Sequence, residues 1–150
     1  MDYLVACEVA CLTVLDISGV ALTRTKERLG PQAANVTWIE SDVLSDWPVP
    51  SVDIWHDRAV FHFLTDPHDR ERYLERLRRG LRRGGTLIMA TFALDGPATC
   101  SGLPVARYSP EQLAAVLGPA FTLQEWIAAP HDTPFGSTQA FWYTRFVFAP

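Results

Sequence analysis

The 150-residue chain has no glycine before Gly19 and only three cysteines. Cys7, Cys11 and Cys100 are odd in number and lack the spacing of metal ligands, so neither a disulfide framework nor a zinc site is expected. Buried free thiols in a reducing cytoplasm are the simpler interpretation.

Positive charge and long apolar segments are also scarce. The formal net charge is −4, and the arginines gather in residues 70–83, which is typical of a solvated helix face. A nucleic-acid partner is not expected, because phosphate binding needs a basic surface. Glu8 interrupts the apolar residues between Tyr3 and Leu15, and no basic segment precedes them, which argues against a signal peptide or a membrane span. We expect a cytoplasmic protein with one domain over residues 1–150.

Strand and helix signals alternate through the first two thirds of the chain. Ser18 is a helix cap whose helix runs through Leu29 and ends at Gly30 and Pro31. A second helix, capped by Thr65 or Asp66, ends at Gly84 and Gly85 and carries an apolar stripe of Tyr73, Leu74, Leu77 and Leu81. The predicted strands are Leu12–Ser18, Val36–Ile39, Val52–His56 and Thr86–Phe92.

The last third predicts one helix and a hairpin. After a loop over Ala93–Arg107, Ser109, Pro110 and Gln112 form the start of a helix that ends at Gly118. Strands Phe121–Ile127 and Gln139–Phe148, joined by the loop Ala128–Thr138, suit an antiparallel pair at the sheet edge. The sequence therefore predicts an α/β, Rossmann-like, mostly parallel sheet with a C-terminal antiparallel hairpin.

Acidic residues follow the first two predicted strands. Asp16 ends the first strand, and Asp42 comes shortly after the second. A carboxylate at the carboxyl tip of a parallel strand commonly accepts hydrogen bonds from ribose hydroxyls. These aspartates could also be plain turn residues, but their order favours a cofactor that contains a nucleoside.

The segments "LTVLDIS", "VTWIESDV", "VDIWHDRAVFHFL" and "LRRGGTLIMATF", followed by a terminal hairpin, resemble class I S-adenosylmethionine-dependent methyltransferases from Leu12 onward. The resemblance is to small bacterial members with a His-Asp-Arg-Ala-Val-Phe-His-Phe-type segment. It implies methyl transfer from S-adenosylmethionine to an unidentified acceptor.

The resemblance also implies roles for particular residues. Asp16 would accept the ribose hydroxyls beside Ser18, Ile17 would pack on the adenine, Asp42 would accept its amino group, and the Val43 N–H would meet a ring nitrogen. His56, Asp57 and Arg58 would border the methionine half. The candidate general bases or substrate-orienting groups are His62, Asp57 and His131, the last in a loop over residues 130–136; a structural hydrogen bond is an equal alternative for each.

One feature of the family is missing. Its members begin with a strand and a Gly-x-Gly-type loop, whereas Met1–Ala10 resembles the tail of the helix that follows that loop. We therefore expect an N-terminally truncated fold lacking the strand between those that contain Val14 and Ile54. In such a fold either the sheet recloses or another chain, as in a homodimer, covers the gap. As an alternative, residues 3–10 form that strand, although the connection to Leu12 is short for a crossover.

Three further alternatives follow from the residues. The histidines and aspartates of residues 56–68 could suggest a metal, but their spacing does not bring them together, and no metal is expected. A catalytically degenerate binding or interaction module of the same fold would keep the sheet without turnover. A nicotinamide-dependent dehydrogenase is disfavoured, because its glycine fingerprint is absent.

Overall fold

The computed structural model describes residues 10–58, 60–132 and 138–150, without the side chains of residues 131, 132 and 138. The chain forms two compact units, Met1–Pro50 and Ser51–Pro150. The single domain predicted for residues 1–150 stays a prediction.

The first unit is a strand-helix-strand element. It consists of β1 (Leu12–Asp16), α1 (Gly19–Leu29), a 3-10 helix (Gly30–Asn35) and β2 (Val36–Glu40). The strands are parallel, with Asp16 opposite Glu40. As predicted, the Ser18 side chain caps α1 by accepting a hydrogen bond from the Ala21 N–H at 3.2 Å. Gly30 ends the helix at a φ of 57°, a backbone conformation that glycine adopts without strain.

The second unit is built on a four-stranded sheet. Its elements are β3 (Val52–Arg58), a 3-10 turn (Phe61–Phe63), α2 (Pro67–Gly80), β4 (Leu81–Phe92), β5 (Thr99–Cys100), β6 (Leu103–Pro104), α3 (Pro110–Leu117), β7 (Phe121–Asp132) and β8 (Thr138–Phe148). The sheet order is β3-β4-β8-β7; β3 and β4 are parallel, and β8 is antiparallel to both of its neighbours. The predicted α/β class with an antiparallel hairpin at the sheet edge is confirmed.

The core of this unit lies under α2 and α3. Three of the four residues in the predicted α2 stripe are buried helix residues, namely Tyr73, Leu74 and Leu77. Leu113 and Leu117 bury the apolar face of α3. Ser109 caps α3 in a complete capping box with Gln112, in agreement with the sequence pattern.

The predicted end of α2 is wrong by several residues. Leu81 begins β4, and Gly84 and Gly85 lie inside that strand. The register with β3 jumps between Val52 opposite Leu81 and Ile54 opposite Thr86, so the intervening residues of β4 bulge. Gly84 takes a φ of 78° in this bulge, where other residues are strained.

Two predicted loops contain strands. The loop Ala93–Arg107 holds the short hairpin β5–β6, whose connection Ser101-Gly102 has positive φ at both residues, as a type I′ turn requires. The Ser-Gly pair was the available sequence signal. Strand β7 extends to Asp132 through a segment predicted as loop; Pro130 fits there because β7 is an edge strand.

The cysteine prediction is corrected where the structure describes it. Cys11 is exposed and Cys100 is half-buried, so neither is a buried core thiol, and Cys7 lies outside the described residues. None of the helices in the described ranges has the length and apolar character that crossing a bilayer would need.

Candidate functional site

The first candidate site lies at the carboxyl edge of β1 and β2. Asp16 is the last residue of β1, and its backbone carbonyl accepts a hydrogen bond from the Ser41 N–H at 3.1 Å. Asp42 follows Ser41 directly. The parallel pairing thus places both predicted nucleoside contacts at one edge of the two-stranded sheet.

Each of these carboxylates is oriented by its own turn. Asp16 Oδ1 accepts the Ser18 N–H at 2.8 Å, and Asp42 Oδ1 accepts the Leu44 N–H at 2.8 Å. These are Asx turns, in which an aspartate side chain bonds backbone two residues further on. In the described part of the chain, the second oxygen of either carboxylate has no hydrogen-bond partner. One oxygen is fixed and the other is free to accept from a ligand.

The neighbours of these aspartates differ in exposure. Ile17 keeps 70% of its surface exposed, which is unusual for an isoleucine and suits a residue that covers a flat ligand. The Ser18 hydroxyl oxygen caps α1 by accepting the Ala21 N–H. Val43 is half-buried, and its carbonyl accepts the Trp47 indole N–H at 3.2 Å, which holds the turn after β2.

Glu40 is a charged group at this edge that carried no predicted role. Its carboxylate lies against Gly19, where the Cβ of any larger residue would come within 2.5 to 2.7 Å of the carboxyl atoms. The two residues contribute to a surface depression of about 540 Å³ along α1. Gly19 directly after the helix cap was the sequence signal, since a glycine often marks a close approach.

The second candidate site contains the residues of β3 that were grouped in sequence. Side chains alternate along a strand, so Asp57 points to one face of the sheet and its neighbours His56 and Arg58 to the other. Asp57 is buried, with 4% of its surface exposed, whereas the other two are exposed. The sheet therefore separates three residues that the sequence placed together.

Asp57 sits at the centre of a buried hydrogen-bond network. Its Oδ2 accepts the Tyr73 hydroxyl at 2.7 Å, and its Oδ1 accepts the N–H groups of Val60 at 2.9 Å and Phe61 at 3.4 Å. The Tyr73 oxygen in turn accepts the Trp55 indole N–H at 3.1 Å. Both carboxylate oxygens are thus committed to holding β3, α2 and the 3-10 turn together, and the role of Asp57 as a base stays a prediction.

Burial sets the protonation of this network. Desolvation raises the pKa of Asp57, while the hydrogen bonds from Tyr73 and the backbone oppose that rise. Desolvation and the adjacent carboxylate both raise the pKa of Tyr73. Although His56 is on the surface, partial desolvation lowers its pKa, against an opposing effect of Asp57. Tyr73 therefore remains a proton donor to Asp57.

His62 is enclosed by aromatic rings. It has no exposed surface, stacks on Phe92 at a centroid distance of 4.8 Å and meets Phe63 edge-on at 4.5 Å. Neither ring nitrogen has a hydrogen-bond partner within the described ranges. Desolvation lowers the pKa of His62 to about 4, so the ring is neutral near neutral pH. A base in this position has no access to substrate as the residues stand, and its predicted role stays untested.

His131 is placed only in part. Its backbone belongs to β7, where it pairs with Gln139 of β8. The prediction of a loop over residues 130–136 is therefore wrong at His131. The side chain of His131 and residues 133–137 lie outside the described part of the chain. In that part, no three histidine, cysteine or acidic side chains converge as a metal site would require.

Comparison with known proteins identifies the family. Residues 2–85, more than half of the chain, match the sequence profile of a methyltransferase domain. The chain belongs to the class I S-adenosylmethionine-dependent methyltransferases. A search of curated protein sequences gives no significant match.

Solved structures of methyltransferases share this fold at low sequence identity. The N-methyltransferase NodS from Bradyrhizobium japonicum, in complex with S-adenosyl-L-homocysteine, is 20% identical with a TM-score of 0.75, covering 99% of this chain and 71% of that chain. A methyltransferase from Anabaena variabilis is 15% identical with a TM-score of 0.70, covering 98% and 71%. The 1,6-didemethyltoxoflavin-N1-methyltransferase from Burkholderia thailandensis is 17% identical with a TM-score of 0.68, covering 92% and 61%.

S-adenosylmethionine is the cofactor of this methyltransferase family. The first unit fits its nucleoside half, because Asp16 and Asp42 each keep one carboxylate oxygen unengaged in the described residues and Ile17 offers an exposed apolar surface. A ribose presents two hydroxyl donors, and adenine presents an amino group, to such acceptors.

Proposed function

We propose that this methyltransferase binds S-adenosylmethionine with Asp16 and Asp42 and transfers its methyl group to an acceptor. The proposal rests chiefly on the β1–β2 pairing, which sets these two carboxylates at one edge of the same sheet. The Asx turns support it, because they fix the direction of each carboxylate before a ligand arrives.

Each residue at this edge of β1 and β2 would contact a different part of the cofactor. Asp16 would accept the ribose hydroxyls, Asp42 would accept the adenine amino group, and the Val43 N–H would donate to a ring nitrogen. Ile17 would cover one adenine face. The neighbouring Ser18 would act indirectly, since its hydroxyl holds the start of α1 and its N–H orients Asp16.

Methyl transfer needs little from the protein beyond placement. The cofactor supplies a methyl group already activated by the positive sulfur. The chain has to hold that methyl in line with an acceptor atom and keep water away. A base matters only where the acceptor loses a proton. His56 and Arg58, exposed at the end of β3, are proposed to border the methionine half.

Calorimetric titration with S-adenosylhomocysteine tests the binding step. Wild type should give saturable heat, and Asp16→Ala should weaken the affinity at least about tenfold, since a carboxylate that accepts two hydroxyls contributes roughly 1.5 to 3 kcal/mol. Glu75→Gln, which removes an exposed carboxylate on α2, is the matched control and should leave the affinity unchanged. Absence of heat from wild type would refute the proposal.

Turnover separates this function from its alternative. Saturable binding without methyl transfer to any member of an acceptor panel would instead support a catalytically degenerate binding module. The proposed homodimer enters the same experiment: cofactor affinity that rises with protein concentration, together with a dimer in analytical ultracentrifugation, would support a second copy that completes the sheet.

A further inference from the structure

A pocket in the second unit is lined by none of the residues proposed to bind the cofactor. It has a volume of about 570 Å³ and lies beyond the carboxyl end of β4, against the paired ends of β7 and β8. Small and apolar residues line most of it, including Ala93, Ala128, Phe141 and Trp142. Two polar side chains, Asp95 and Gln139, complete the lining.

Asp95 is held at the pocket by a rigid turn. The Gly96 N–H donates to the Ala93 carbonyl at 2.9 Å, which closes the turn around Asp95. Arg107 Nη1 donates to the carbonyls of Leu94 at 3.0 Å and Gly96 at 3.1 Å, on either side of the aspartate. Arg107 therefore holds this turn in place.

Gly96 tightens the same turn. It is buried, and a Cβ at this position would lie 3.0 Å from the Ala93 carbonyl oxygen and 3.1 Å from that of Ala140. The turn is thus pressed against the start of β8 and has little room to move. Asp95 itself is exposed, and within residues 60–132 and 138–150 its carboxylate has neither a hydrogen bond nor an ion pair.

An unpaired carboxylate on a fixed turn beside an apolar pocket favours one kind of ligand. An anion would be repelled, and a purely apolar molecule would leave the carboxylate unused. A ligand with an apolar body and a positively charged or N–H nitrogen matches both parts of the lining.

We propose that this pocket binds a small molecule whose apolar body carries an amine or ring N–H, paired with Asp95. Asp95 is the residue that would distinguish amines from carboxylates, and Arg107 is a positioning residue that acts through the turn.

Two probes with the same phenylethyl body and opposite charge test the pocket. Phenethylamine and 3-phenylpropanoate would be titrated into the full chain by saturation-transfer NMR. Wild type should prefer the amine by about threefold to fivefold, the range that one partly exposed charge pair supplies. Asp95→Asn should remove this preference, and the control Glu75→Gln should keep it. Ala128→Phe, an exposed position on β7, fills the pocket and should weaken both probes.

The outcomes distinguish the two proposals. Equal affinity of the probes for wild type, or a preference that survives in Asp95→Asn, would overturn the assignment of an amine to this pocket. If S-adenosylhomocysteine still binds the same sample, the proposed function survives that result. A preference for the amine that depends on Asp95, without any binding of S-adenosylhomocysteine, would support the amine pocket and overturn the proposed function alone.

Discussion

Replacing Tyr73 with phenylalanine removes one hydroxyl from the buried network around Asp57. That hydroxyl donates to Asp57 Oδ2 at 2.7 Å and accepts from the Trp55 indole at 3.1 Å, and Tyr73 is 1% exposed. Phenylalanine fills the same space except for the oxygen, so the loss is confined to the two hydrogen bonds.

The expected loss of stability depends on the two groups that lose their hydrogen-bond partner, the Asp57 carboxylate and the Trp55 indole N–H. A hydrogen bond to an ionised buried group contributes about 1.5 to 3 kcal/mol, and a neutral one about 1 kcal/mol. The half-buried indole N–H of Trp55 recovers part of its loss through water. We therefore expect Tyr73→Phe to lower the free energy of unfolding by about 2 to 4 kcal/mol at a pH where Asp57 is ionised.

The pH dependence is more specific than the magnitude. Losing a donor raises the pKa of Asp57 in the folded variant above its already raised wild-type value. Above both pKa values the variant bears the full cost of an ionised carboxylate with one donor fewer. Below the wild-type pKa both proteins hold Asp57 protonated, so the difference in stability becomes smaller. The destabilisation should therefore shrink as the pH is lowered through the raised pKa of Asp57.

Urea unfolding over a series of pH values measures this difference. Tyr143→Phe is the control, because the structure gives this half-buried hydroxyl no hydrogen bond within the described residues. Equal effects of the two substitutions, or a destabilisation by Tyr73→Phe that does not change with pH, would refute the reasoning that Tyr73 supports an ionisable Asp57.

Three further predictions concern His62, Ser109 and a pair of glycines. Burial lowers the pKa of His62 in the folded protein to about 4, whereas the unfolded pKa is about 6.5. The free energy of unfolding should therefore fall by roughly 3 kcal/mol as the pH is lowered from about 6.5 to about 4. His62→Phe should flatten this fall in urea titrations, and an unchanged slope would contradict the prediction. Ser109→Ala should cost about 1 kcal/mol in thermal unfolding through loss of the capping box, and no loss would count against it. Gly96→Ala places a Cβ against two backbone carbonyls and should destabilise the folded protein by about 1 to 3 kcal/mol. Gly19→Ala places its Cβ only against the movable end of exposed Glu40 and should be nearly neutral. The reverse order of these two effects would disprove both contacts.

Local signals in the sequence were sufficient for the caps and for most of the elements. Ser18 and Ser109 begin the helices they were predicted to begin, because a capping hydroxyl bonds backbone within three residues of itself. Asp66, one of two predicted caps, accepts the His68 N–H at 2.7 Å. The fold class followed from the alternation of these elements and from four short motifs.

Strand pairing and register could not be predicted from neighbouring residues in the sequence. Gly84 and Gly85 read as a helix end, since glycines commonly stop helices, yet pairing with β3 draws them into a bulged strand. The hairpin β7–β8 is longer than predicted for the same reason, since cross-strand bonds extend it through Pro130, where local preference is weak. Pairing partners distant in the chain decided both boundaries.

The amino-acid sequence by itself determined the family, the order of strands and helices and the aspartates at the tips of β1 and β2, because these depend on residues a few positions apart. Only the tertiary structure decided that Asp57 faces away from its neighbours into a bond with Tyr73, that His62 is sealed among aromatic rings, and that Arg107 clamps Asp95 at a pocket. Burial and pairing over 11 to 30 residues of chain set these environments, and no local pattern encodes them.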